Sequence, residues 1–327
     1  MQPPPFQRPA IVSAIDIESI PVGQITRQRV VMTENATGNE TLVPAILLRA
    51  EDPRPVVGIT AAVHGNELNG VHVIHRLLEQ LKPVHLHRGT IVAVPIVNIP
   101  GYLRQQREFE DGTDINRIMP GRANGNESEL YAHRFIDRVA RHFDYLIDLH
   151  TASFGRVNSL YVRADMTKPV TATIARLLSP QIIVHSAAGD GTLRAAVEDL
   201  GAHAVTVEVG DPQRFQRGLV RSARLGIVEV LEHLGMVDDL SDPDTHDVIE
   251  CKRSYWLYTD RGGVLTVLPN VTDTVHEGDV IARLQNVWGD VVREYRAPED
   301  GIVVGKSVNP AARAGSRIIH LGVVAAR

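Results

Sequence analysis

The sequence predicts an α/β protein: a mostly parallel or mixed central sheet with helices on both faces, followed by a small all-β domain. Three observations carry that prediction. From about residue 55, short apolar runs alternate with stretches of helical spacing, the pattern of strands joined by crossover helices. After Met236 the chain shows only short strand-like runs punctuated by glycine and proline. Between the two regions lies a polar, acidic linker, Asp238-Asp239-Leu240-Ser241-Asp242-Pro243-Asp244, which divides the chain into domains at 1–240 and 245–327.

The elements follow in order. Residues 1–50 read as a β-rich N-terminal segment. Ile11–Ile20, Gln28–Thr33 and Leu42–Leu48 are rich in Val, Ile and Thr, and Asn35-Ala36-Thr37-Gly38-Asn39 is a turn between the last two. Val56–Val63 is a continuous apolar run, as expected of a strand buried on both faces. Leu68–Leu81 places Val71, Ile74, Leu77, Leu78 and Leu81 at helical spacing. Thr90–Val97 is another apolar run and Glu129–Val139 another helical stretch. Tyr145–Leu149, Ala172–Leu178, Thr192–Leu200, Ala204–Val207 and Arg221–Leu234 continue the alternation. In the C-terminal part, Ser254–Thr259, Gly263–Leu268, Asp279–Leu284, Gly301–Gly305 and Arg317–Val324 predict a β-barrel or sandwich.

Composition narrows the function classes. The chain has 327 residues, 43% of them apolar, enough for one large domain and a small one. A net charge of −5 argues against a nucleic-acid footprint. No apolar run approaches the ~18 residues of a membrane span, and Met1-Gln2-Pro3-Pro4-Pro5 lacks the layout of a secretion signal. A cytoplasmic globular protein is expected. A single cysteine, Cys251, excludes an internal disulfide and any zinc site built on cysteine clusters. A transition metal would have to be held by carboxylates and some of the 14 histidines.

Open parallel sheets bind ligands beyond the carboxyl ends of their strands, so polar residues directly after the buried runs are the candidates. His64-Gly65-Asn66-Glu67 places a histidine and a carboxylate three residues apart, both ordinary zinc donors. Gly65 and Gly70 leave room for close approach. Taken alone, the pair is better explained as a polar strand edge and a solvated first helical turn. Asp148-Leu149-His150 ends a second buried run. His150 would complete a His₂Glu set with one position open for water, the catalytic rather than structural arrangement; the alternative is a capping or core histidine. Asp114-Ile115-Asn116-Arg117 follows a turn. Arginine beside asparagine suits a substrate carboxylate, and Asp114 suits the second ring nitrogen of a metal-bound histidine; a solvated surface loop is the alternative. Glu208 interrupts the apolar run Ala204–Val209 just before Gly210-Asp211-Pro212. A buried carboxylate is costly unless paired or functional, and its raised pKa suits a general base; a water-facing strand-end glutamate is the alternative.

Together these segments resemble the succinylglutamate desuccinylase/aspartoacylase family, relatives of the zinc carboxypeptidases. The resemblance covers about residues 55–236. It rests on His64-Gly65-Asn66-Glu67, on Asp114 through Pro120-Gly121, on Asp148-Leu149-His150 and on Val207-Glu208-Val209-Gly210. Met119 stands before the Pro-Gly where relatives carry a bulky aromatic residue, a departure expected to affect packing only. The resemblance implies a zinc carboxypeptidase-like fold, one zinc ion per chain bound by His64, Glu67 and His150, and Glu208 as general base. It implies that Asn116 and Arg117 hold the substrate's α-carboxylate and that Asp114 orients His64. A further arginine upstream of the Asn-Arg pair polarises the scissile carbonyl; Arg107 fits, and Arg104 is the alternative. The implied activity is hydrolysis of the amide bond of a small N-acyl amino acid. A metallocarboxypeptidase acting on small peptides and a non-catalytic carboxylate-binding relative are the competing readings. The implied partners are a small acylated amino acid and, since relatives often form dimers or tetramers, further copies of the chain, with no nucleic acid and no membrane.

Outside the motifs, Arg156, Arg163 and Arg194 are candidates for a second anion contact. The stretches Pro269–Val280 and Ala297–Val303 resemble biotinyl- or lipoyl-carrier hammerhead domains, but no lysine lies between Lys252 and Lys306 and no prosthetic group is expected. His72, His75, His85 and His87 read as ordinary histidines, and Trp256 and Trp288 as core or interface residues of the β domain.

Overall fold

The computed structural model describes residues 8–81, 85–238 and 247–325. Its N-terminal segment is less β-rich than composition predicts. β1 (Ala10–Val12) is short, and the expected run to Ile20 ends in a 3₁₀ turn at Ile17–Ser19. There the Asp16 carboxylate accepts a hydrogen bond from the Glu18 N–H at 3.2 Å. A short acidic side chain that bonds nearby backbone competes with a strand ladder. β2 (Ile25–Glu34) and β3 (Glu40–Arg49) form the expected antiparallel hairpin, with the Asn35 side chain accepting from the N–H groups of Thr37 and Asn39 at 3.0 Å each.

The alternation of strands and helices then follows the predicted order, joined by strands at Arg156–Asn158, Leu160–Ala164 and Ile182–His185 that the sequence pattern does not reveal. β4 (Val56–Ala61) leads to α1 (Asn69–Gln80), then β5 (Thr90–Val94) and the short α2 (Ile99–Arg104), which the spacing does not reveal. α3 (Glu127–Arg138) begins two residues before its apolar periodicity, because Asn126 and Glu129 form a reciprocal capping box. β6 (Tyr145–His150), β7 (Arg156–Asn158) and β8 (Leu160–Ala164) follow, then α4 (Pro169–Leu177), β9 (Ile182–His185), α5 (Leu193–Glu198), β10 (His203–Val209) and α6 (Arg217–His233). β5, β4, β6 and β10 lie side by side and parallel; β3 and β8 flank them antiparallel, so the sheet is mixed.

Two hydrophobic cores cover this sheet. One gathers α1, α4 and α6 over Val57, Ile59, Ile147, Leu149, Val205 and Val207. The other gathers α3 and α5 over Val56, Leu146 and Ala204. Side chains alternate across a strand, so Asp148, His150, Thr206 and Glu208 all point to the α3 and α5 face, at the carboxyl ends of β6 and β10. Gly65 is needed where the chain leaves β4: a Cβ there would lie 1.9 Å from the Gly101 carbonyl carbon of α2. Gly70 seats α1 on the sheet, since its Cβ would lie 2.7 Å from that of Leu149.

Asp239–Asp244 of the expected linker lie outside the described residues. The remaining strands are β11 (Ile249–Tyr258), β12 (Gly263–Val267), β13 (Thr274–Val275), β14 (Val280–Gln285), β15 (Val291–Arg296), β16 (Gly301–Ser307), β17 (Ala311–Ala312) and β18 (Arg317–Val324). β11 pairs in parallel with β9, so β11, β18, β16 and β13 extend the main sheet; β15, β14, β12 and β17 form a second, four-stranded sheet. Leu265, Ile281, Leu284, Ile319 and Leu321 fill the core between them. β15 is an edge strand exposed at nearly every position, and so carries no period-two signal.

Candidate active site

The parallel strands β4, β6 and β10 deliver His64, His150 and Glu208 to one edge of the sheet. Glu67 joins them because its N–H bonds back to the His64 carbonyl at 3.1 Å, a tight turn that brings the two side chains together. The ligand atoms of His64, Glu67 and His150 lie within 4.8 Å of one another, the single such cluster among the described residues, and all three side chains are buried.

The hydrogen bonds around the cluster specify its chemistry. His64 Nε2 lies 3.1 Å from Asp114 Oδ1, and His150 Nε2 lies 2.7 Å from Asp148 Oδ2. Each outer carboxylate holds a proton on Nε2, so each ring turns its Nδ1 lone pair inward. The two Nδ1 atoms face each other at 3.2 Å, and the Glu67 oxygens lie 2.9 Å from one and 3.0 Å from the other. Lone pairs and a carboxylate converging in a buried space make a site that a proton or a metal ion could fill. Burial opposes charge on His150, yet Asp148 and Glu67 hold its imidazole well above the ordinary histidine range. Burial likewise pushes Glu67 up, and the His64 and His150 rings outweigh it to hold the carboxyl below the usual range. The site therefore draws positive charge to one point, and two imidazoles with a carboxylate fit a divalent transition metal.

Around this centre lies a cavity of about 470 Å³. It is lined by every residue singled out from the sequence motifs: His64, Glu67, His150, Glu208, Asp114, Asn116, Arg117 and Arg107. Arg107 donates to Glu67 Oε1 at 3.1 Å, to Asp114 Oδ2 at 2.9 Å and to Ser153 Oγ at 2.5 Å. Arg104, at the end of α2, instead pairs with Glu110 at the surface and is absent from the lining. Burial pushes Asp114 up, but the bonds and charges of His64 and Arg107 hold it well below the carboxylate range. The Asn116 side-chain oxygen accepts from the Leu193 N–H at 2.7 Å, which fixes the amide at the start of α5.

Glu208 sits across the cavity with its side chain 14% exposed. Burial raises its pKa above the ordinary carboxylate value, with Arg163, 3.9 Å away, the largest opposing influence. Asn158 Nδ2 donates to its Oε2 at 3.1 Å.

The sequence motifs do not single out Asp148, Asn158 or Trp256 as site residues. Asp148 had a signal, an acid two positions before a histidine on one strand face. Asn158 had none. Trp256, expected in the core or an interface, forms part of the cavity wall, while Trp288 is 84% exposed. Arg156, Arg163 and Arg194 all line the cavity. His72 stacks on Phe215, away from the lining, and Cys251 is a buried thiol pushed up to about 11.

The model of the succinylglutamate desuccinylase/aspartoacylase catalytic domain matches residues 53–234, more than half of the chain. The chain belongs to this family. Within the desuccinylase/aspartoacylase family, it is 24% identical to N-alpha-acetyl-L-2,4-diaminobutyric acid deacetylase of Halomonas elongata, over 98% of this chain and 97% of that protein. It is 27% identical to succinylglutamate desuccinylase of Burkholderia lata, where the match spans 56% of each chain. The solved structure of a succinylglutamate desuccinylase/aspartoacylase from Rhodobacter sphaeroides superposes with a TM-score of 0.83 at 23% identity, covering 97% of this chain and 100% of that one. That likeness establishes the fold. No helix among the described residues is long and apolar enough to cross a membrane.

Proposed function

We propose that this protein is a zinc-dependent hydrolase that cleaves the amide bond of a small N-acyl amino acid. The observation that carries the reading is the inward convergence of His64 Nδ1, His150 Nδ1 and the Glu67 carboxylate, with a partly buried base, Glu208, in the same cavity. Membership of a family that includes desuccinylases and an N-acetyl-diaminobutyrate deacetylase among its relatives supports it.

His64, Glu67 and His150 hold the metal. Zinc in such a set supplies Lewis acidity, lowering the pKa of water toward ~7 and polarising a carbonyl. Asn116 and Arg117 hold the substrate's carboxylate and set the amide over the cavity. Glu208 takes a proton from the attacking water as the carbon–oxygen bond forms, and returns it to the nitrogen as the carbon–nitrogen bond breaks. Asn158 and Arg163 keep the Glu208 carboxylate in place. Arg107 stabilises the charge that develops on the carbonyl oxygen. Asp114 holds both His64 and Arg107, tying the metal site to the oxyanion site. Residues 1–240 form the hydrolase unit and 245–327 a β unit that completes the cavity, and the whole works in the cytoplasm.

The test is a hydrolysis screen of N-acyl amino acids beside dipeptides, with zinc present and chelated. Zinc-dependent release of free amino acid from the acylated substrates is expected. Cleavage of dipeptides alone would make the protein a carboxypeptidase and overturn the proposal.

A further inference from the structure

The face of the sheet opposite the catalytic cavity is covered by α1 and α6, which pack against each other. The groove along their junction encloses about 570 Å³ and shares no lining residue with the catalytic cavity. On α1 it is lined by His72, Arg76 and Glu79, and on α6 by Arg217, Arg221 and Arg224. Intervals of three and four residues put each set on one face of its helix. The buried side chain of Val220 also contributes to the lining.

The charges of this groove are unbalanced. Four of its lining residues are arginines and one is a carboxylate, Glu79, which Arg76 holds at 2.7 Å. Neither Arg217 nor Arg224 has a carboxylate partner within ion-pair distance among the described residues. Arg224 is partly buried, and burial together with the charge of Arg221 lowers its pKa. Burial also lowers the pKa of His72, and the charges of Arg76, His75 and Arg217 add to it. Like charges three or four residues apart on a helix repel. An anion in the groove relieves that repulsion.

The spacing bears on the kind of anion. Arg217 and Arg224 are seven residues apart, which separates them by about 10 Å along the helix axis. A chain of phosphates matches that length better than a single carboxylate does. Guanidinium groups also bind phosphate oxygens in pairs. Beside the groove, Phe215 stacks on His72 with ring centroids 4.6 Å apart and an inclination of 28°. Phe215 is nevertheless 58% exposed, which leaves ring surface for a planar group.

We propose that the groove between α1 and α6 binds a small polyanion carrying two or more phosphate groups, held by Arg217, Arg221 and Arg224. The site is separate from the hydrolase centre, and its binding does not depend on the hydrolase reading. The phosphate chain has two sources, an inorganic polyphosphate or a nucleotide.

The experiment is calorimetric titration of the full chain at about 0.15 M ionic strength, where nonspecific attraction is screened. The probes are inorganic phosphate, pyrophosphate, tripolyphosphate, ATP and a hexaglutamate peptide. Tripolyphosphate should bind at least tenfold more tightly than inorganic phosphate. Arg217→Gln and Arg224→Gln should each weaken it by about tenfold, the worth of one charge-assisted contact. The rise in Tm that tripolyphosphate gives the wild-type chain should vanish in the double variant. Tighter binding of ATP than of tripolyphosphate, lost in Phe215→Ala, assigns the site to a nucleotide; equal binding assigns it to the phosphate chain alone, and either upholds the proposal. Absence of binding by every phosphate probe, or a preference for hexaglutamate, overturns it. So does binding that survives both arginine substitutions, or that is lost in Arg117→Gln, since the anion would then lie in the catalytic cavity.

Discussion

Asp148 accepts a hydrogen bond from His150 two positions along the same strand, Oδ2 to Nε2 at 2.7 Å, while its other oxygen accepts from Thr60 Oγ1 at 2.6 Å. The strand's alternation puts both side chains on one face, so the carboxylate selects the tautomer that sends Nδ1 toward Glu67 and His64. Asp148→Asn keeps the shape and removes the charge. Metal affinity, read by competition with a chelator, should fall about tenfold to a hundredfold. An unchanged affinity would show that the His150 ring is held by packing alone.

Glu208→Gln should leave about one zinc per chain by elemental analysis, because Glu208 is not part of the three-ligand set. Turnover should drop by roughly 10²–10⁴, the range for loss of a general base. Near-normal turnover would remove Glu208 from its role.

The activity profile follows from the Glu208 environment. Burial raises its pKa and Arg163 opposes the rise. The base acts when deprotonated, so the acidic limb of kcat/KM should lie above the ordinary carboxylate range, with activity falling as pH drops through it. Arg163→Gln removes the neighbouring charge, which favours the protonated form. The limb should therefore move to higher pH. A limb that stays put or moves down contradicts the assignment.

Most of the site was legible because its residues follow buried runs directly. His64, His150 and Glu208 stand at the ends of β4, β6 and β10, where a parallel sheet collects its ligands. Glycine marked the close approaches as well, at Gly65 against α2 and Gly70 against β6. What escaped depends on contacts distant in sequence. Arg107 fits the spacing and Arg104 is its alternative; the pairing of Arg104 with Glu110 at the surface, against that of Arg107 with Glu67 and Asp114 in the cavity, separates them. Trp256 and Arg317 reach the cavity because β11 pairs with both β9 and β18, a register no local pattern encodes. Asp16 caps the 3₁₀ turn at Ile17–Ser19 through one side-chain bond, which composition overlooks.

Gly65→Ala tests the close approach of chain segments beside the His64, Glu67 and His150 cluster. The added methyl would fall 1.9 Å from the backbone of Gly101, which has no flexible side chain to move aside. Overpacking of this kind costs about 1–3 kcal/mol or more. The midpoint of denaturant unfolding should fall, and zinc retention should fall with it, since His64 precedes the strained position. Unaltered stability would mean that α2 shifts freely.

His320 makes stability fall on acidification. Its ring is buried between Trp256 and Tyr161, and burial, aided by the charges of Arg163 and Arg317, holds its pKa well below the ordinary histidine value. Its Nδ1 has no hydrogen-bond partner among the described residues. The unfolded chain takes up a proton at this residue near pH ~6.5, and the folded chain does not. Stability from this group is thus complete above that pH and is lost as pH falls below it, by at most about 1.4 kcal/mol per pH unit. His320→Gln retains a polar group toward Ser254 and does not titrate. Unfolding free energies measured between pH 7.5 and 5.5 should decline less steeply in this variant than in the wild-type chain. Equal slopes would place the titration elsewhere. A steeper slope in the variant would mean that the protonated ring is tolerated in the fold, contrary to its burial.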